Sequence, residues 1–204
     1  MDLAPKSTLS WSSLGFPSRA LYPGFVPLSS TDAGALLYLE RARADQVNIS
    51  LHVRDRSKSA SNLGAEVPVV RERDFRVGRV TIPRVVADSR YRYALRVYDP
   101  DNLPDAAVIV RLIQTTDSFG EKLLDEGTYP LANFGFTTNC EDAVCPWPAD
   151  SYAPSILFLP LDLGQYDAVA VRVEIEAVTA GLRLWAMVSA TNNDTHLVTV
   201  YSPN

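Results

Sequence analysis

The stretch YRYALRVYD, residues 91–99, sets Tyr91, Tyr93, Leu95 and Val97 on one side and Arg92, Ala94 and Arg96 on the other. AVAVRVEIEA (168–177) repeats the arrangement, with Val169, Val171, Val173 and Ile175 facing one way and Arg172, Glu174 and Glu176 the other. Alternation with period two in β-branched and aromatic residues is the mark of a strand with one buried face. Outward from these two runs the pattern recurs in NISLHVRD (48–55) and, less regularly, at 22–28, 34–41, 66–71, 75–82, 106–114, 155–161, 182–190 and 196–202. Turn formers separate the runs: Asp99-Pro-Asp-Asn, Leu103-Pro-Asp, Ala180-Gly181 and Asn192-Asn193-Asp194 supply fixed or positive φ angles and local side-chain bonds. Only GALLYLERARADQ (34–46) has helical spacing, and its neighbours on both sides read as a meander, so it is assigned to a strand. Roughly ten short strands at intervals of about 8–15 residues predict an all-β, antiparallel sandwich.

The composition fits a folded chain: 204 residues, 47% hydrophobic and 21% charged. No run approaches the roughly 18 apolar residues of a membrane-spanning helix, and MDLAPKSTLSW has neither the basic nor the apolar region of a signal peptide. The net charge of −5 argues against nucleic acid as a partner and conceals an asymmetry. Residues 1–112 carry 16 Lys+Arg against 12 Asp+Glu, whereas residues 113–204 carry 3 against 12. Charge segregated in this way favours head-to-tail self-association or a charged protein partner.

TIPRVVADSRYRYALRVY (81–98) echoes FLPLDLGQYDAVAVRVEI (158–175): an apolar residue and a proline, an acidic turn, a tyrosine, then an alternating strand. A tyrosine in that place is a candidate for a corner whose hydroxyl bonds back to the backbone, which singles out Tyr91 and Tyr166. The echo divides the chain into a mildly basic N-terminal β part (1–114), an irregular region (115–150) and an acidic C-terminal β part (151–204). The last either completes the sandwich or forms a second packed sub-domain.

Chemistry is sparse. Cys140 and Cys145, in FTTNCEDAVCPWP (136–148), are the only cysteines. A structural zinc needs four ligands, and the two histidines, His52 and His196, lie on separate strands. A redox pair has closer spacing and no flanking acids. A disulfide clip on a proline-stiffened loop is the expectation; closing so short a loop contributes about 2 kcal/mol and implies an oxidising compartment. No GxSxG elbow, P-loop, HExxH or GxGxxG occurs, so no enzyme is expected. The acid-rich turn YDPDNLPDA makes Asp99, Asp101 and Asp105 candidate oxygen ligands for calcium, the one cofactor these residues suggest; solvated turn residues are the alternative. Trp147 and Tyr152, beside the cysteines, form a candidate stacking platform for a glycan. Arg92 and Arg96, with Arg90 and Tyr98 on the same outward face and Arg111 and Arg172 on neighbouring strands, could hold carboxylated or sulfated groups through bidentate pairs. Trp185 belongs to a strand with two apolar faces and is expected in the core.

The C-terminal stretch AVAVRVEIEAVTAGLRLWAMVSATNNDTHLVTVYSPN resembles the ends of immunoglobulin-like β-sandwich domains in uncharacterised secreted bacterial proteins: a strand, a Gly turn, a Trp-Ala strand, an Asn-rich turn and a closing Thr/Val strand. FVPLSSTDAGALLYLE is similar to their opening strand. The resemblance implies an immunoglobulin- or fibronectin-III-like sandwich, with a jelly roll as the other layout, and a secreted or cell-surface chain whose signal peptide has been removed. It implies no catalytic residue. The expectation is therefore a non-enzymatic extracellular structural or protein-interaction module that associates with itself or another protein. A carbohydrate-binding module using aromatic residues and calcium is the alternative.

Overall fold

The computed structural model describes residues 25–27, 35–37, 51–53, 65–116, 120–133, 155–166 and 169–203. The chain divides into two compact units, residues 1–47 and 48–204. In the first, β1 (Phe25–Pro27) and β2 (Ala35–Leu37) pair antiparallel. The second begins with another small antiparallel pair, β3 (Leu51–Val53) with β4 (Ala65–Val67).

Two larger sheets follow. Four strands run in the order β6 (Arg79–Val86), β12 (Ala170–Ala177), β8 (Ala107–Thr116), β9 (Gly120–Pro130). The other sheet is ordered β10 (Ala132–Asn133), β11 (Ser155–Leu161), β7 (Tyr91–Asp99), β13 (Arg183–Asn192), β14 (Val198–Tyr201). Its sixth strand, β5 (Arg76–Val77), pairs with the start of β13. Every pairing is antiparallel, and helix among the described residues is confined to 3₁₀ turns at Glu72–Asp74 and Gly164–Tyr166. The all-β class follows from the period-two runs, and β7 and β11 begin and end where the alternation does.

One core takes side chains from both sheets: Ile82 and Val85 from β6, Leu95 and Val97 from β7, Val108 from β8, Val171, Val173 and Ile175 from β12, and Leu184, Ala186 and Val188 from β13. All are essentially sealed from solvent, and burying each large one contributes about 1.5–3 kcal/mol. β13 is central and apolar on both faces, as its sequence predicts; Trp185 is 8% exposed on the side away from this core.

The two echoing segments meet here. β6 pairs with β12 and β7 with β11, so each segment crosses from one sheet to the other and the two copies pair strand for strand around a shared core. Their corners touch as well: the Ala87 amide donates to the Val169 carbonyl (2.9 Å), and a Cβ on Gly164 would lie 3.5 Å from the Ser89 Cα. The corner tyrosine is Tyr93, rather than the expected Tyr91 or Tyr166. Its hydroxyl donates to the Val86 carbonyl (2.8 Å) and accepts from the Asp88 amide (2.9 Å). Tyr91 stands two strand positions too early, its ring 6.4 Å from that of Tyr93, while Tyr166 sits in a 3₁₀ turn.

Two further expectations are corrected. The run 75–82 is broken at Gly78, whose φ of +90° lets the chain leave β13 as β5 and join β12 as β6. Residues 120–130, placed in the irregular region, form β9. β9 is an edge strand whose core side is only half-buried, through Leu124 and Tyr129, and is broken by a bulge at Leu124, so it writes no regular alternation into the sequence.

Replacing Tyr93 by Phe removes a bond from two partly buried backbone groups. We expect Tyr93→Phe to lower the unfolding free energy by about 1–3 kcal/mol, read from urea denaturation, and Tyr91→Phe to cost clearly less. Equal effects at the two positions would deny the corner its role.

Candidate interaction surface

The outward faces of the two large sheets are unlike. On the four-stranded sheet, period two points outward Arg79 of β6, Arg172, Glu174 and Glu176 of β12, Arg111 of β8, and Glu121 and Glu126 of β9. They pair into one chain that crosses all four strands. Glu126 meets Arg111 (2.5 Å), Arg111 meets Glu176, Glu176 meets Arg79 (3.3 Å), Arg79 meets Glu174 (3.7 Å), Glu174 meets Arg172 (2.9 Å), and Arg172 meets Glu121. An isolated exposed pair contributes about 0–1 kcal/mol, and a network does better because each side chain is already held by the last. Arg111 and Arg172 are therefore neighbours on this sheet and no part of the β7 stripe, contrary to expectation. They lie on strands that pair with each other, and each is engaged by two glutamates. Arg79 and Arg111, from the positive half of the sequence, here face glutamates from the negative half, while Arg172 pairs within its own half.

Both edges of this sheet are also irregular. β6 carries a bulge at Pro83 and Arg84, opposite the step from Val171 to Val173. β9 carries one at Leu124. Bulges and charges on edge strands are the usual devices against edge-to-edge pairing.

The six-stranded sheet presents something else. Across β11, β7 and β13 its outward rows read Ile156–Tyr98–Trp185, then Phe158–Arg96–Met187, then Pro160–Ala94–Ser189. The Tyr98 and Trp185 rings lie 5.8 Å apart, tilted by 39°. The Arg96 guanidinium lies over Phe158, 5.0 Å from the ring centroid, and its Nη1 donates to Ser189 Oγ (2.9 Å). Ile156, Trp185 and Met187 are buried, while Phe158 is 53% exposed, Pro160 and Arg92 are exposed, and Val198 of β14 continues the apolar surface. Arg92 and Arg96 pair with no carboxylate among the described residues. Arg90, expected on the same stripe, lies in the preceding turn and is held by Asp88 (2.6 Å).

The candidate calcium turn divides its carboxylates among three duties. Asp99 ends β7 facing inward and is fully buried; its Oδ1 accepts the Asp101 amide (2.8 Å) and its Oδ2 the Leu103 amide (2.9 Å). Burial pushes its carboxyl upward, opposed by these bonds. Asp101 pairs with Arg183, which also reaches Glu72 (3.1 Å), and the guanidinium holds the Asp101 carboxyl below its usual range. Asp105 is exposed in the left-handed region with φ of +53°, and its carbonyl accepts the Thr179 hydroxyl. Among the described residues no group of three His, Cys, Asp and Glu side chains is placed to hold a metal ion, and no helix is long and apolar enough to cross a membrane. Cys140, Cys145, Trp147 and Tyr152 lie outside the described residues.

The sequence reading found Arg92 and Arg96 but passed over Phe158 and Ser189. Phe158 was legible: SILFLPL puts Ile156, Phe158 and Pro160 on the face opposite Leu157, Leu159 and Leu161, and that face has no charge. Ser189 acquires its part only through the β7–β13 register, which local sequence does not carry. Comparison with known proteins returned no matching family, curated protein or solved structure.

The ion pairs give stability a definite pH dependence. Arg90 holds Asp88 at about 2, against 3.8 ordinarily. Arg172 lowers Glu121, Arg111 lowers Glu176 and Arg183 lowers Asp101. Each of these carboxylates protonates more readily unfolded than folded, so its stabilisation is present above the unfolded value and is lost as pH falls through the folded one. Asp99 has the opposite sign, since its folded value is raised, and its contribution declines as pH rises through that value. With four lowered groups against one raised, unfolding free energy from urea titrations should fall steadily from about pH 5 to about pH 2. Stability flat across that interval would mean that the pairs do not hold in solution.

Proposed function

We propose that this chain is a non-enzymatic, extracellular structural module of β-sandwich architecture, immunoglobulin- or fibronectin-III-like in plan, that associates with copies of itself through the outward face of its six-stranded sheet. The observation that carries the reading is the contrast between the two faces. One is closed across its inner strands by a Glu–Arg lattice and, among the described residues, exposes acids only along β9. The other offers an exposed phenylalanine, a proline, a valine and two arginines that no described carboxylate engages. Aromatic residues and arginine are the groups enriched where protein surfaces meet, and charged pairs satisfied within one chain are the groups depleted there. Two cysteines separated by four residues of sequence and followed by prolines fit an exported chain.

A second reading has one observation in its favour. Arg92 and Arg96 without carboxylate partners suit a sulfated or uronate glycan as well as a protein acid. The apolar surroundings of Arg96 favour the protein.

Sedimentation velocity from low to high micromolar protein should show reversible self-association that weakens at high salt. Phe158→Asp should abolish it, because a new carboxylate beside Arg96 consumes the arginine and makes the patch polar. Val86→Asp, at an exposed apolar position on the edge of the other sheet, should leave it intact. A chain that stays monomeric over the whole range would refute the reading, and retention on a sulfated polysaccharide by such a monomer would favour the glycan.

A further inference from the structure

Glu121 stands opposite Thr115 and Glu126 opposite Arg111 in the β8–β9 ladder, so the two carboxylates are four rungs of β8 apart, about 13 Å. Between them on the same outward face is Leu123, opposite Ile113 and 53% exposed. This spacing exists because the bulge absorbs Leu124, which packs against the core. Without the bulge, residues 121 and 126 would point to opposite faces. On the six-stranded sheet Arg92 and Arg96 are also four residues apart on one face of β7, again about 13 Å, with Ala94 between them and Phe158 and Pro160 alongside. One row is acid–apolar–acid, the other base–apolar–base, and their spacings match.

The acidic row is accessible, and in the basic row Arg92 is exposed while Ala94 and Arg96 are half-buried. The Glu121 and Glu126 side chains are 57% and 47% exposed although each already meets one arginine, and a carboxylate has lone pairs for a second guanidinium. Arg96 is held in place by Phe158 and Ser189, so its fork loses little freedom on accepting an acid.

We propose that the self-association rests on this complementarity: the Glu121–Leu123–Glu126 row of one copy docks on the Arg92–Ala94–Arg96 row of the next, with Leu123 against Ala94 and Phe158. The inference rests on the self-associating reading above and specifies its contact. Because the two surfaces are different, the contact is heterologous, and each added copy leaves one acidic and one basic row open. Growth continues head to tail unless the rotation closes a ring. The charge asymmetry along the sequence then has a use, since the basic row comes from the positive part of the chain and the acidic row from the negative part.

The test is complementation between two half-blocked variants. Arg92→Gln/Arg96→Gln removes the basic row and keeps the acidic one; Glu121→Gln/Glu126→Gln does the reverse. Each alone should lose about tenfold or more in self-affinity by sedimentation. Mixed in equal amounts, they should form one-to-one dimers that grow no further, with affinity within about threefold of the wild-type contact. Far-UV circular dichroism checks the fold of each, and Leu123→Ser replaces the glutamine pair should that variant lose it. If the acidic-row variant associates as wild type does, or the mixture stays monomeric while wild type associates, the head-to-tail contact is overturned and self-association stands. A monomeric wild type in the same runs overturns both.

Discussion

The pairing of β6 with β12 and of β7 with β11 is the constraint on which the rest of this structure depends. Each pair joins one copy of a strand–corner–strand segment to the other, and each segment spans both large sheets. The sheets therefore cannot separate without breaking the corners that link them. The Tyr93 hydroxyl fixes the first corner by bonding the last carbonyl of β6 and the amide of Asp88. The Ala87-to-Val169 bond ties that corner to the second. Once the segments are paired, the period-two rule decides every face. Leu95, Val97, Val171, Val173 and Ile175 point into one core, and their sequence neighbours must point out.

What those neighbours are differs between the sheets, and the difference is chemical rather than geometric. β12 alternates valine and isoleucine with Arg172, Glu174 and Glu176, and its neighbours answer with Arg79 and Arg111, so the outward charges satisfy one another. β7 alternates its core residues with Arg92, Ala94, Arg96 and Tyr98, and its neighbours β11 and β13 answer with Phe158, Pro160, Met187 and Trp185. A guanidinium set among such residues is desolvated at part of its surface and, among the described residues, meets a ring face and a hydroxyl. It is the group best placed to gain from an incoming acid, because binding would supply a charge partner that the described residues do not.

Much of the architecture was legible in the sequence, because burial on one face imposes a period that survives in the residue types. A strand whose core side is half-buried and interrupted by a bulge left no such trace, which is why β9 was read as irregular. Corner chemistry was legible as to type but misplaced by two residues, since a tyrosine two strand positions away has the same local sequence signal and only the corner's geometry chooses Tyr93. The face of Arg92 and Arg96 was readable from β7 alone. Their isolation from carboxylates was not, because it depends on which strands flank β7. Arg111 and Arg172 show the same limit from the other side: their types suggested a shared stripe, and the pairing of β8 with β12 gave them glutamate partners on a different sheet. Aspartates 99, 101 and 105 are close in sequence, yet amide bonds, an arginine and a left-handed backbone give them separate local duties.

The central claim is that the outward face of the six-stranded sheet is a contact surface, met by the β9 edge of the other sheet, whose inner strands are closed by their own ion pairs. Amide hydrogen exchange followed by mass spectrometry, at protein concentrations below and above the onset of association, tests it most directly. The account predicts added protection in peptides covering 92–96, 155–161 and 120–126 at the higher concentration, with 170–177 unchanged. Protection centred on 170–177, or the same exchange in all four at both concentrations, would contradict it.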